Sequence, residues 1–338
     1  MPPFSGVNEL SELLGPTRSS RKSPSLSHPD ARANNQCPYR VGSCYPPLMA
    51  LDPTNTREKS KPGDSTSISF DLAAFDLDGT ILPHGAKIDD RTVAAVESLR
   101  ERGARIVVAT GRRFEGAYEH AHRLGLRDSD PAICYNGAMV RRMNGETLLH
   151  RTLPKPLSIE FLEWAERRNL HARVFIDGEI ALGPETAASR KYLRPPDGPG
   201  ISIVDSAISW LEGLKQGPIK LALTDSPSGV ESWFEEARET FAGELFITRS
   251  HPYYVEIMSP ESSKSQALSF LCEHWNIDPR RVLAFGDADN DIDMLRFAVQ
   301  GVAVEPMTKE VREAADTVLE QSSGGVARYL EDLLDNGI

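Results

Sequence analysis

An apolar run over residues 70–75 ends in two aspartates one residue apart, Asp76 and Asp78, followed by Gly79 and Thr80. A short apolar run without polar alternation reads as a strand buried on both faces, which belongs inside a parallel sheet. Gly79 frees the turn that follows, so both carboxylates emerge at the carboxyl end of that strand. Two acids this close repel each other. A hard cation such as Mg2+, held by carboxylate and carbonyl oxygens, is the partner that makes the pair tenable. The rest of the chain is then expected to bring further carboxylates and phosphate-binding groups to the same edge.

The segments that follow repeat one pattern. Asp89 and Asp90 cap a helix whose apolar positions Val93, Val96 and Leu99 follow helical spacing, ending at Gly103. A β-branched strand at 105–109 runs into Thr110, Gly111 and Arg112, a helix is expected at 114–124, and a third strand at 132–135 runs into Asn136 and Gly137. Strand, helix, strand, helix, strand at this spacing predicts right-handed crossovers and a Rossmann-like, doubly wound parallel sheet. The three turns would share its carboxyl edge, where ligands bind in open α/β folds.

Further along, a strand at 254–258 leads to Ser262, Ser263 and Lys264, then to a helix through Trp275. A lysine in the first turn opposes the positive end of the helix dipole, which makes sense chiefly if an anion is also present. The apolar strand 282–285 ends in a second acid cluster, GDADND at 286–291, which supplies Asp287 and Asp291. Asp289 reads as a solvated turn residue, and Asp291 alternatively as a helix cap. Short strands at 302–304 and 317–319 and a helix at 326–334 complete the sheet.

Residues 154–253 have a different texture, with helices near 157–167 and 230–240 and strands near 172–176, 219–223 and 245–248. The division expected is a disordered leader at 1–67, a core domain in two parts (68–153 and 254–338), and an inserted α/β cap at 154–253. Phe161, Trp164, Trp210, Trp233 and Phe234 have helical spacing and are assigned to packing inside the cap. Arg112, Arg113, Arg141, Arg142, Arg190, Lys191, Arg194 and Lys220 are read mainly as solvated charges, with an anionic substrate as the alternative. The leader is dense in Pro, Ser, Asn and Arg. Glu9 and Glu12 argue against an organellar transit peptide, and Met49 offers a shorter start.

A formal net charge of −11 disfavours nucleic acid and anionic membranes as partners. No apolar run approaches the roughly 20 residues that span a bilayer. The four cysteines, Cys37, Cys44, Cys134 and Cys272, form no Cys-x-x-Cys pair and are read as reduced thiols, with a Cys37–Cys44 disulfide as the alternative. A cytoplasmic enzyme acting on a small molecule, with no obligate protein partner, fits these bounds.

DLDGT at 76–80, Thr110 in ATGR, Lys264 and GDADND at 286–291 resemble, in order, the four motifs of the haloacid dehalogenase-like phosphatase superfamily. The insert and YNGA at 135–138 resemble its Cof-type branch, which carries a large α/β cap. The resemblance covers residue 70 to the C-terminus. It implies that Asp76 attacks phosphorus and that Asp78 handles the protons. It also implies that Asp76, Asp287, Asp291 and the Asp78 carbonyl hold Mg2+, that Thr110, Gly111 and Lys264 bind the phosphoryl oxygens, and that Asn136 and Gly137 lie near the substrate. GVAVEPM at 301–307 departs from the branch's GVAMGNA and lacks any contact made by its Asn.

The expected function is a Mg2+-dependent phosphatase of small phosphorylated metabolites, sugar phosphates foremost, with an aspartyl-phosphate intermediate. Its rivals are a phosphomutase of the phosphomannomutase-like type and a catalytically silent phosphate sensor. Asp78 must carry a proton when Asp76 attacks. Burial and neighbouring acids push its pKa up, Mg2+ pulls it down, and the sequence leaves the balance between them open.

Overall fold

The computed structural model describes residues 70–82, 87–193, 200–320 and 324–335. The expectations for the leader, including Cys37, Cys44 and Met49, and the one for Arg194 lie outside the described residues. Among the described residues no helix is long and apolar enough to cross a membrane.

The first part of the chain runs β1 (Leu72–Phe75), α1 (Asp90–Glu101), β2 (Arg105–Ala109), α2 (Phe114–Arg123), β3 (Pro131–Cys134), β4 (Met139–Arg142) and β5 (Thr147–His150). The middle runs α3 (Lys155–Glu166), β6 (His171–Ile176), β7 (Glu179–Leu182), α4 (Ala187–Tyr192), β8 (Ile201–Ile203), α5 (Ala207–Glu212), β9 (Lys220–Thr224), α6 (Pro227–Thr240), β10 (Phe246–His251) and β11 (Tyr254–Met258). The last part runs α7 (Lys264–Trp275), β12 (Val282–Gly286), α8 (Ile292–Phe297), β13 (Gln300–Val304), α9 (Lys309–Ala314), β14 (Thr317–Leu319) and α10 (Gly325–Asp335).

The first and last parts build one eight-stranded sheet, in the order β14-β13-β12-β1-β2-β3-β4-β5. The strands from β14 to β3 pair in parallel, and β4 and β5 add an antiparallel hairpin. This is the doubly wound sheet the sequence predicts. β1 is buried along its whole length between β12 and β2, and Phe75 stacks on Phe285 with ring centroids 4.9 Å apart. The chain winds away from β1 in both directions, so a crevice opens at its carboxyl end. At the start of α1, Asp89 accepts hydrogen bonds from the Thr92 backbone N–H and hydroxyl, as a good N-cap does.

Two local differences have clear causes. The hairpin of β4 and β5 was not expected, although Asn144-Gly145 at its turn, with Gly145 at φ +93°, is a recognisable hairpin signal. Strand β11, expected in the second core part, pairs instead with β9 and β10. Its short link from β10 and its mixed pattern favour an antiparallel neighbour in the smaller sheet.

That smaller sheet has six strands in the order β10-β11-β9-β6-β7-β8, with antiparallel pairing except between β7 and β8. Side chains alternate between its faces. Ala172, Val174, Leu221, Leu223, Val255 and Ile257 share an apolar cluster with Phe161, Leu162, Leu211, Trp233 and Phe234 from the helices. The aromatics assigned to packing therefore pack, Trp210 at the edge of the same cluster. The opposite face carries Arg173, Phe175, Lys220, Tyr254 and Glu256, and it lines a cleft with the carboxyl edge of the larger sheet.

Candidate functional site

Four turns of the larger sheet meet at the end of β1. Lys264, first residue of α7 and 1% exposed, donates hydrogen bonds to Asp76 Oδ1 at 2.5 Å and Asp291 Oδ1 at 2.6 Å. These are the anions that a lysine at a helix N-terminus demands. Asp291 also accepts, through Oδ2, the backbone N–H groups of Asp287 and Ala288, both at 3.1 Å. It thus caps its own turn, the alternative read for it from sequence, and also pairs with Lys264.

Close approach requires two glycines here. A Cβ on Gly79, whose φ is +94°, would lie 2.2 Å from Asp287 Oδ2. A Cβ on Gly137, φ +97°, would lie 2.1 Å from the Ser263 carbonyl oxygen, immediately before Lys264. Gly137 therefore acts through backbone packing that seats α7. Thr80, a residue not singled out from sequence, donates its hydroxyl to Asp287 Oδ1 at 2.7 Å.

Asp76, Asp287 and Asp291 each offer a carboxylate oxygen, and the three atoms lie within 4.8 Å of one another. An all-oxygen, acidic set of this kind fits a hard divalent cation such as Mg2+. The Asp78 side chain is not in the set. Its carboxylate sits in the fork of Arg112, with Nε to Oδ2 at 2.7 Å and Nη2 to Oδ1 at 2.6 Å. Arg112 was read as solvated, and this bidentate bond corrects that reading.

The charges are strongly perturbed. Burial, and then the repulsion of Asp291, pushes Asp287 up to about 7. Burial likewise raises Asp76, against the pull of Lys264. Burial alone would lower Lys264, but Asp291 and Asp76 outweigh it and hold the ammonium protonated well above its usual range. For Asp78 burial acts upward, yet the hydrogen bonds and charge of Arg112 prevail and hold it below the ordinary carboxylate value. The balance left open for Asp78 is thus tipped downward by a guanidinium the sequence reading left in solvent.

Thr110 is buried at the end of β2, where its hydroxyl accepts the Arg112 backbone N–H at 3.2 Å and its carbonyl accepts the Asn136 N–H at 3.0 Å. Asn136 is fully buried, and its side chain is committed: Nδ2 donates to Glu256 Oε2 at 2.6 Å, and Oδ1 accepts from Asn290 Nδ2 at 2.9 Å. Glu256 forms an ion pair with Lys220, whose Nζ also donates to the Gly111 carbonyl at 2.8 Å. Lys220 is 3% exposed, which corrects its reading as a solvated charge. Asp289 is likewise partnered, by Arg249 at 3.2 Å and the Thr308 hydroxyl at 3.0 Å.

Glu256 and Asn290 were missed. For Glu256 the signal was present, a lone carboxylate inside the apolar strand YVEIM, as was the lone Lys220 in IKLAL. Arg141, its side chain largely buried, pairs with Asp177 between β6 and β7, while Arg142 pairs with Glu146 and Arg190 with Glu185. The cleft above the acids has a volume of about 1230 Å³, room for a small metabolite and its water. Cys134 and Cys272 are buried free thiols, and burial raises both.

Residues 73–330 match the family profile described as haloacid dehalogenase-like hydrolase. A putative phosphatase of Streptococcus pyogenes is 26% identical over 271 residues, covering 78% of this chain and 98% of that protein. The 5-amino-6-(5-phospho-D-ribitylamino)uracil phosphatase YitU of Bacillus subtilis is 25% identical over 270 residues, covering 77% and 96%. Among solved structures, TM0651 from Thermotoga maritima superposes with a TM-score of 0.64 at 28% identity, over 78% of this chain and 97% of that one.

Proposed function

The chain belongs to the haloacid dehalogenase-like hydrolases and is a phosphoric monoester hydrolase, and from that premise we propose a Mg2+-dependent phosphatase of small phosphorylated metabolites, sugar phosphates foremost. Asp76 attacks phosphorus: an Asp76 Oδ–P bond forms as the ester P–O bond breaks, and the leaving oxygen takes a proton from Asp78. Asp78 then removes a proton from water, which cleaves the aspartyl-phosphate and releases inorganic phosphate. Asp76, Asp287, Asp291 and the Asp78 carbonyl would hold Mg2+, which supplies positive charge opposite the phosphoryl oxygens. Thr110, the Gly111 turn and Lys264 bind those oxygens.

In the Arg112 fork Asp78 is in its ionised form, the form that accepts a proton from water. To deliver one to the leaving group it must first leave that fork. The smaller sheet and its helices act as the cap, whose closure keeps bulk water and large phosphoproteins from the acids. We place the enzyme in the cytoplasm.

One observation carries this reading. The Asp76 carboxylate lies at the switch point of the parallel sheet, 2.5 Å from a buried lysine and grouped with two further acids, where an electrophilic phosphorus could reach it. The test is phosphate release from a panel of metabolite phosphates and p-nitrophenyl phosphate, with Mg2+ or with chelator, in the parent and in Asp76→Asn. Turnover should require both Mg2+ and Asp76. An Asp76→Asn variant that hydrolyses at the parental rate overturns the mechanism.

A further inference from the structure

The buried pair Lys220 and Glu256 lies on the cleft face of the smaller sheet, yet its remaining hydrogen bonds go to the larger one. Lys220 Nζ reaches the Gly111 carbonyl, in the turn after Thr110, at 2.8 Å. Glu256 Oε2 accepts from Asn136, in the turn after β3, at 2.6 Å. Asn136 in turn accepts from Asn290, in the acidic turn after β12, at 2.9 Å. Two side chains of one sheet thereby tie together three of the four turns that make the site in the other.

Stability alone does not account for this arrangement. A buried ion pair contributes little net stability compared with well-packed apolar residues, because both charges give up hydration. Lys220 and Glu256 are 3% and 2% exposed, and Asn136 is 0%. The backbone is also constrained to meet them: Tyr135 and Asn136 have φ values of +50° and +52°, a conformation non-glycine residues adopt at a cost. A Cβ on Gly111 would lie 2.9 Å from Asn136 Oδ1 and 3.2 Å from Glu256 Oε2, so the turn is a close fit to the network. Such a chain is complete only while the two sheets face each other, since Lys220 and Glu256 lose their partners at Gly111 and Asn136 when the cleft opens.

We propose that Lys220 and Glu256 are positioning residues that couple closure of the smaller sheet to the order of the Thr110–Gly111 and Asn136–Gly137 turns. On closure the ammonium fixes the Gly111 carbonyl and the carboxylate fixes the Asn136 amide. The backbone that follows Thr110, and Gly137 against the carbonyl preceding Lys264, then take their final places. Neither side chain need touch the reacting atoms. The catalytic consequence rests on the phosphatase reading; the coupling itself does not.

The experiment compares the full chain with Lys220→Met, Glu256→Gln and the double variant. Losing one member alone leaves the other charge buried and unpaired, so the double variant should melt closer to the parent than either single. In the double variant, backbone amide exchange at residues 110–112 and 135–138 should rise at least tenfold, with the rest of both sheets unchanged. Hydrolysis of p-nitrophenyl phosphate should fall at least thirtyfold in kcat/KM, mainly in kcat. Unchanged exchange at those turns overturns the proposal, whether activity is kept or lost. A rise in exchange spread over the whole chain also overturns it, because that marks general destabilisation. Exchange is read without turnover: a parent that hydrolyses no phosphate ester would sink the phosphatase reading and leave the coupling to be judged by exchange alone.

Discussion

The two sheets organise their polar groups in opposite ways. In the larger sheet the parallel strands are apolar on both faces, and the groups of the site stand just beyond strand ends, as Asp76, Thr110, Asp287 and Asp291 do, or at the start of a helix, as Lys264 does at α7. In the smaller sheet the charges stand along the strands, Arg173 on β6, Lys220 on β9 and Glu256 on β11, alternating with residues that pack on its helices. The first arrangement gathers a fixed set of groups at a point, as chemistry on one kind of atom requires. The second spreads charges along a wall that faces the cleft, with Lys220 and Glu256 bonded to the turns of the site and Arg173 beside the space left for the rest of a substrate. Under the proposed function, the comparison assigns turnover to the turns of the larger sheet and selectivity to those cleft-facing residues of the smaller one that are not bonded to these turns.

That division can be broken by mutation. The largest effect should come from Asp76→Asn, which removes the proposed nucleophile: kcat should fall by about 10³-fold or more for every phosphate ester, as measured by phosphate release. Lys264→Met comes next, with kcat down about 10²- to 10³-fold through lost stabilisation of phosphoryl charge. It also leaves Asp76 and Asp291 facing each other, so denaturant unfolding in chelator should show a loss of about 3–5 kcal/mol that Mg2+ partly restores. On the wall, Arg173→Met keeps the aliphatic stem. It should change the ratio of kcat/KM between two phosphate esters by about tenfold while kcat for p-nitrophenyl phosphate stays within threefold. An equal loss for all substrates would contradict the division.

The smallest effects are opposed slopes of stability against pH in metal-free protein. Asp287, raised to about 7 from 3.8, binds more protons folded than unfolded between those values, so its contribution falls as pH rises through that window. His171 in β6 is held below its usual 6.5 by burial, with Nδ1 2.9 Å from the Pro184 carbonyl oxygen. It binds fewer protons folded than unfolded below 6.5, so its contribution is full above that pH and is lost as pH falls. Each slope is at most about 1.4 kcal/mol per pH unit. Urea midpoints against pH should lose the falling slope in Asp287→Asn and the rising one in His171→Asn.

The same contrast explains what was legible in the sequence. Residues at strand ends are contiguous in the chain, so DLDGT and GDADND could be read as units and the parallel sheet around them inferred from strand and helix spacing. The wall is assembled from residues on separate strands, and no window of sequence contains it. Lys220 and Glu256 meet only because β9 and β11 pair, with Ala222 opposite Glu256. Arg112 illustrates a subtler failure. It sits beside a predicted site residue, yet its partner Asp78 is 34 positions away, and only the juxtaposition of β1 and β2 turns a charge read as solvated into the group that keeps Asp78 ionised.

The alternation of the smaller sheet has an evolutionary consequence. Positions that face the cleft and positions that face the helices interleave along the same strands, so adjacent codons answer to different selective demands. Drift at the cleft-facing residues of β6 and β7 would alter what the wall presents to a substrate while the intervening residues keep the sheet folded. Under the proposed function, a lineage with this layout would try new substrates by single substitutions without rebuilding the acids at the end of β1.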